Sequence, residues 1–232
     1  MQENPGAQVL TTVLKDPGRP RITWYGPDGE RVELSGAVLA NWVAKTAHLL
    51  IDELDAGPGT QVRLDLPAHW RTVVWALACW HIGAVVRIDD EPADVVVTDQ
   101  PGRGGTGGAA VAVALPALAR TFGTALPAGT LDYAATVLGH PDTAPPSAVR
   151  DPGATALVGT GGHLTVAALD AQVDRSPVRR LVRTTRPLDE LLATVRATLA
   201  GGGSVVITDG FAADRIDALV KSERIDAQEA SA

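Results

Sequence analysis

The sequence predicts an α/β fold, a mainly parallel sheet flanked by helices and preceded by an N-terminal β-hairpin. Three observations lead there. Strand-like and helix-like runs alternate through most of the 232 residues. The runs at 84–88 and 93–97 are continuously apolar, as suits strands buried on both faces of a parallel sheet. Residues 21–25 and 30–34 are β-prone and flank Gly26-Pro27-Asp28-Gly29, the composition of a hairpin turn.

Each element follows from local signals. Ser35 is placed to cap a helix whose Val38, Leu39, Trp42, Val43, Leu49 and Leu50 share one face. Gly57-Pro58-Gly59 ends that unit, and residues 62–66 form a short strand stopped by Pro67. Trp70, Val73, Val74, Leu77 and Trp80 then follow helical spacing, and Gly83 stands at the helix end. The segment at 109–115 looks at least as strand-like as helical. Residues 139–152 read as a connector rich in proline. A strand at 154–158 runs into glycines, and residues 180–182 are a further strand. Pro187 opens a helix with a stripe of Leu188, Leu191, Leu192, Val195 and Leu199. Gly201 to Gly203 end it, a strand follows at 205–207, and a last helix runs over about 211–220. A single α/β domain is expected over residues 1–222, with sub-layers at about 1–140 and 150–222 and a polar tail at 223–232.

Composition excludes several function classes. A formal charge of −7 argues against nucleic acid or an anionic membrane as partner. The cationic run with Arg179, Arg180 and Arg183 lies among apolar residues and reads as a half-exposed strand. No apolar run is long enough to span a bilayer. One cysteine, Cys79, in an apolar helical stretch points to a reducing, cytoplasmic setting and a buried hydrophobe, not a nucleophile. The segment 102–107 matches G-x-G-x-x-G, but three residues separate it from its strand, so a surface loop is expected over a dinucleotide site. The five histidines, His48, His69, His81, His140 and His163, have no zinc spacing, and no metal site is expected. His48 and His81 lie near helix ends and read as solvated or capping. Asp89-Asp90-Glu91 reads as a solvated loop.

The candidate site is Gly159, Thr160, Gly161, Gly162, His163 and Thr165. Backbone amides of such a loop can cradle a phosphate, with the threonine hydroxyls as donors. A tight turn is the competing reading, because no Lys or Arg lies between Asp151 and Arg175.

Read in order, the segments resemble one family. Residues 23–34, TWYGPDGERVEL, followed by a helix, resemble the opening of the adenylate-forming (AMP-binding) enzymes. These include acyl-CoA synthetases, luciferases and nonribosomal-peptide adenylation domains. Residues 57–67, GPGTQVRLDLP, are similar to their G-P-G-D-x-V-x-x-x-L-P strand. Residues 73–86 are similar to the helix and strand that end in A-G-A-V, and 93–99 to the next strand. Residues 199–207 and 211–225 resemble a later helix–strand–helix unit. Short actinobacterial members are the group most resembled. The resemblance implies the same α/β fold. It also implies a phosphate loop ending Pro-Lys-Gly where this chain has Ala156-Leu157-Val158-Gly159-Thr160-Gly161-Gly162-His163, without the lysine. The family's adenine- and ribose-binding segments and its C-terminal domain have no counterpart here.

The expectation is therefore a catalytically degenerate relative, inactive alone, that acts as a binding or accessory protein. No cofactor is expected, and ATP or AMP would bind weakly. The alternatives are an ATP-dependent acid–thiol ligase component needing a partner chain, and a structural interaction domain. A homodimer or a partner protein is also expected. Trp70, Trp75 and Trp80 recur every five residues, so they spread around more than half of one helix, and tryptophan is enriched at interfaces. Burial of all five tryptophans, Trp24 and Trp42 included, in one core is the competing reading.

Overall fold

A computed structural model describes residues 3–27, 29–102, 108–208, 211 and 213–228. The chain opens with helix α1 (Pro5–Val13). Strands β1 (Pro20–Tyr25) and β2 (Arg31–Ser35) form the expected hairpin, and α2 (Gly36–Asp52) follows. Next come β3 (Gln61–Asp65), α3 (Trp70–Ile82), β4 (Val85–Arg87), β5 (Val95–Thr98), β6 (Ala109–Ala112) and β7 (Thr130–Asp132). The short helix α4 (Tyr133–Thr136) leads into a 3-10 turn at Val137–Gly139. The rest of the chain adds β8 (Thr155–Gly159), β9 (Gly162–Thr165), α5 (Val166–Ala171), β10 (Arg179–Arg183), α6 (Leu188–Ala200), β11 (Ser204–Thr208), α7 (Ala213–Ser222) and β12 (Ala227–Gln228).

Two sheets result. One has the order β7-β6-β5-β3-β4-β8-β9 and is parallel except for the β8–β9 pair. The other has the order β12-β10-β11-β1-β2 and is parallel except for the β1–β2 hairpin. The fold is therefore the α/β class that the sequence predicts. The layers do not divide near residue 140–150, however. The N-terminal hairpin joins the C-terminal strands, with Ile22 opposite Val205 and Trp24 opposite Ile207. One apolar cluster runs through residues of both sheets.

Local chemistry sets the helix ends. The Ser35 hydroxyl accepts from the Val38 N–H at 3.3 Å, which caps α2. His69 Nδ1 accepts from the Arg71 N–H at 3.1 Å and caps α3. Gly83 closes α3 with a φ of 80°, the left-handed region that suits glycine.

Helix α3 is the centre of the molecule. Every one of its residues is buried, between α1, α2, α6 and strands of both sheets. A helix apolar all round belongs inside a protein, and this explains the five-residue spacing of Trp70, Trp75 and Trp80. All three fill the core, as does Trp24, whereas Trp42 is half-buried. On α2 the buried face is Leu39, Val43, Ala47 and Leu50; Val38 is exposed and Trp42 is half-buried.

Helix α1 is absent from the sequence reading. Its Leu10 to Val13 stretch is rich in β-branched residues, and docking on α3 decides its form. A Cβ on Gly6 would lie 2.2 Å from the Leu77 carbonyl oxygen and 2.5 Å from the His81 nitrogen. Gly6→Ala is therefore expected to lower stability by about 1–3 kcal/mol, read as a lower Tm.

The chain end corrects another expectation. Residues 223–228 are docked rather than a free tail. The Glu223 carboxylate accepts from Tyr25 Oη at 2.5 Å and Arg31 Nη2 at 3.1 Å, and also bonds Arg179. Ile225 packs on the cluster of Leu181, Val206, Ile216 and Leu219, and β12 pairs with β10. Arg179 and Arg180 of β10 thus serve ion pairs; Arg180 meets Asp174 at 2.8 Å.

Candidate functional site

The glycine-rich candidate loop is the tip of a β-hairpin. Gly159 pairs with Gly162 across the Thr160-Gly161 turn, and Val158 pairs with His163. Gly162 holds a φ of 124°, a conformation open to glycine. A cavity of about 400 Å³ opens between this hairpin and the first turn of α6. Gly159, Thr160, Gly161, Gly162 and His163 line it. Thr165 does not; its hydroxyl accepts from the Ala168 N–H at 3.1 Å and caps α5. Five of the six candidate residues are therefore brought together.

The opposite wall carries residues that sequence reasoning missed. Arg186, Asp189 and Glu190 reach the cavity from the start of α6. Acids in a first helical turn are favoured by the helix dipole, and that is a local signal for their place. Their position over the hairpin, thirty residues away in sequence, has no local signal. Asp189 lies against Gly159 so closely that a Cβ there would be 1.8 Å from Oδ2. Its Oδ1 is buried and has no hydrogen-bond partner. Arg186 brings a cation that the 151–175 segment lacks, but it also meets Glu190 at 3.5 Å.

The electrostatics oppose a phosphate. Two carboxylates share the wall with one guanidinium and the exposed His163 ring. An anion at about 4 Å from Asp189 would meet about 4 kcal/mol of repulsion at an effective dielectric of about 20. The hairpin's geometry can present amides, but its surroundings are acidic.

The remaining candidates are structural. Cys79 is fully buried in α3, and burial pushes its thiol well above the ordinary range, so no thiolate forms. His81 is not solvated: it is buried, and its Nε2 donates to the Pro145 carbonyl at 2.8 Å. His48 Nε2 donates to the Thr143 carbonyl at 3.1 Å, and Lys45 meets Asp142 at 2.7 Å. These side chains moor the proline-rich connector to α2 and α3. Asp89 pairs with Arg87 at 2.6 Å. Among the described residues no cluster of His, Cys, Asp or Glu could hold a metal ion, and no helix is long and apolar enough to cross a membrane. The G-x-G-x-x-G segment falls largely outside the described residues; β6 after it is a strand.

The two-sheet architecture, with a glycine-rich hairpin at the edge of the seven-stranded sheet, defines the N-terminal portion of the adenylate-forming fold. A Brucella canis acyl-CoA synthetase superposes with a TM-score of 0.78 at 16% identity, over 97% of this chain and 46% of that one. The N-terminal domain of FACL13 from Mycobacterium tuberculosis superposes with a TM-score of 0.69 at 18% identity, over 99% of this chain and 63% of that one. An acetoacetyl-CoA synthetase from Streptomyces lividans gives 0.72 at 18% identity, over 89% and 38%. The chain thus spans less than two thirds of each of these proteins. No family model matches the sequence. A "TIGR03089 family protein" of Mycobacterium tuberculosis is 39% identical over 216 residues, covering 85% of this chain and 86% of that protein. The chain belongs to the TIGR03089 family.

Proposed function

We propose that this chain is a catalytically degenerate relative of the acyl-activating enzymes, acting in the cytoplasm by binding, as an accessory protein. One observation carries the reading: the Asp189 carboxylate sits on Gly159, on the hairpin whose sequence resembles the family's phosphate loop. Adenylation sets a carboxylate in line with an α-phosphate and stabilises the charge that develops. An acidic wall does the opposite. Pyrophosphate release with ATP and a panel of carboxylic acids is expected to stay at background. Robust turnover by the purified chain alone overturns the reading. Asp189→Ala is expected to strengthen ATP or AMP binding about tenfold in calorimetry, still without turnover. Unchanged affinity would mean that Asp189 does not exclude the anion.

A second reading is an ATP-dependent acid–thiol ligase component completed by another polypeptide. It is supported by the fold shared with the Brucella canis acyl-CoA synthetase. Turnover by a mixture, absent from either chain alone, decides for it. A homodimer or a partner protein accompanies either reading, and light scattering at micromolar concentration measures it.

A further inference from the structure

A second cavity, of about 440 Å³, lies beyond the carboxyl ends of β5 and β6, the end at which open α/β sheets place their ligand sites. It shares no residue with the hairpin cavity. One wall continues the inner face of the seven-stranded sheet. Val95 and Val97 of β5 belong to the core, as do Val111 of β6 and Val113 just after it. The Val113 N–H donates to the Thr98 carbonyl at 2.9 Å, so the ladder runs on past the strand ends. Side chains alternate along a strand, and Asp99 and Leu115 therefore follow these valines onto the same face. Both line the cavity.

The facing wall is the turn-rich segment from Pro116 to Gly123, and it is pinned near both ends. Arg71 Nη2 donates to the Ala117 carbonyl at 3.2 Å, and the Ala117 N–H donates to Glu30 at 3.3 Å. The Phe122 N–H donates to Asp132 Oδ2 at 2.8 Å. Leu115, Ala119 and the half-buried Phe122 make the lining largely apolar.

Among the described lining residues Asp99 carries the one charge. It is half-buried, so a molecule in the cavity can reach it. Burial raises its carboxyl above the ordinary carboxylate range; its own backbone N–H draws it back, and the neighbouring Asp65 carboxylate adds to the rise. Arg120, in the facing segment, is exposed and does not line the cavity. A carboxylate in apolar surroundings, beside a second carboxylate, gains more from a cation than an exposed one does.

We propose that this cavity binds a small organic cation, an ammonium group carried on a flat apolar body. The ammonium meets the Asp99 carboxylate. The body lies on Leu115 and Phe122, and an aromatic ring accepts a neighbouring cation better than other apolar groups do. The volume suits one such molecule.

The test uses the full chain labelled with nitrogen-15 at about pH 7.5, with 2-phenylethylammonium, 2-phenylethanol and 3-phenylpropionate as probes. The ammonium probe is expected to shift the Phe122 and Gly123 amides saturably. The neutral alcohol is expected to bind about tenfold more weakly, and the anion more weakly still. Asp99→Asn removes the charge and keeps the shape, and is expected to lower affinity for the ammonium by about tenfold while leaving that for the alcohol unchanged. Four results overturn the proposal: no saturable shift up to about 10 mM of the ammonium probe, equal affinity for either other probe, unchanged affinity in Asp99→Asn, or shifts centred on the amides of Gly161 and His163 instead. If Asp99→Asn fails to fold, the three-probe comparison and the position of the shifts on the unaltered chain decide.

Discussion

Replacing Asp170 with alanine is expected to lower the unfolding free energy by about 3–5 kcal/mol, a large share of the roughly 5–15 kcal/mol of a typical domain. Arg196 of α6 is 0% exposed. It donates to Asp170 Oδ1 at 2.5 Å and to the Leu169 carbonyl at 2.7 Å, and it also bonds the Gln8 side chain. Three helices, α1, α5 and α6, are joined at this one guanidinium. Asp170 also receives Arg150 at 2.7 Å. Removing the carboxylate strands a charge in the interior, which costs more than the pair itself contributes. Arg196→Met in the same background should therefore recover part of the loss, since it removes the stranded charge and keeps much of the volume. Urea unfolding of the single and double variants checks this. Additive losses would show that the two groups are not coupled.

Acidification is expected to destabilise the protein well above the pH at which carboxylates titrate. Burial, with the Arg71 charge adding to it, pushes His69 down to about 3. Burial also lowers His81, against the raising effect of its bond to the Pro145 carbonyl. The unfolded chain takes up these protons near pH 6.5, whereas folded His69 stays neutral until about pH 3. The unfolded state thus binds more protons in that window, so stability falls as the pH drops through it. The slope is about 1.4 kcal/mol per pH unit for each such histidine, hence about 3 kcal/mol from His69 between pH 6.5 and 4.5. His69→Asn should flatten the curve. Urea midpoints at about pH 7.5 and 4.5 measure it, and a variant as steep as the parent would remove His69 as the cause.

Local signals in the sequence are strong where a short stretch decides its own conformation. The Gly26 to Gly29 turn, the Ser35 cap, the left-handed Gly83 and the apolar stripe of α6 are all of this kind, because turn geometry, capping and periodicity act within a few residues. They were enough to determine the α/β class, and the order of segments carried the likeness to the adenylate-forming fold. Strand pairing acts over any distance and leaves no local mark. Only the tertiary structure joined β1 to β11 across the whole chain, docked Glu223 on Arg179, and drew α1 into a helix by fitting Gly6 against α3. The spacing of Trp70, Trp75 and Trp80 was legible as a helix too broad for one face, but whether the surplus face met a partner or the core depended on what surrounds α3. The candidate site divides in the same way. The glycines of the hairpin follow from composition, whereas Asp189, Glu190 and Arg186 came to face them through the packing of α6, because charges that share a cavity need be neighbours only in space.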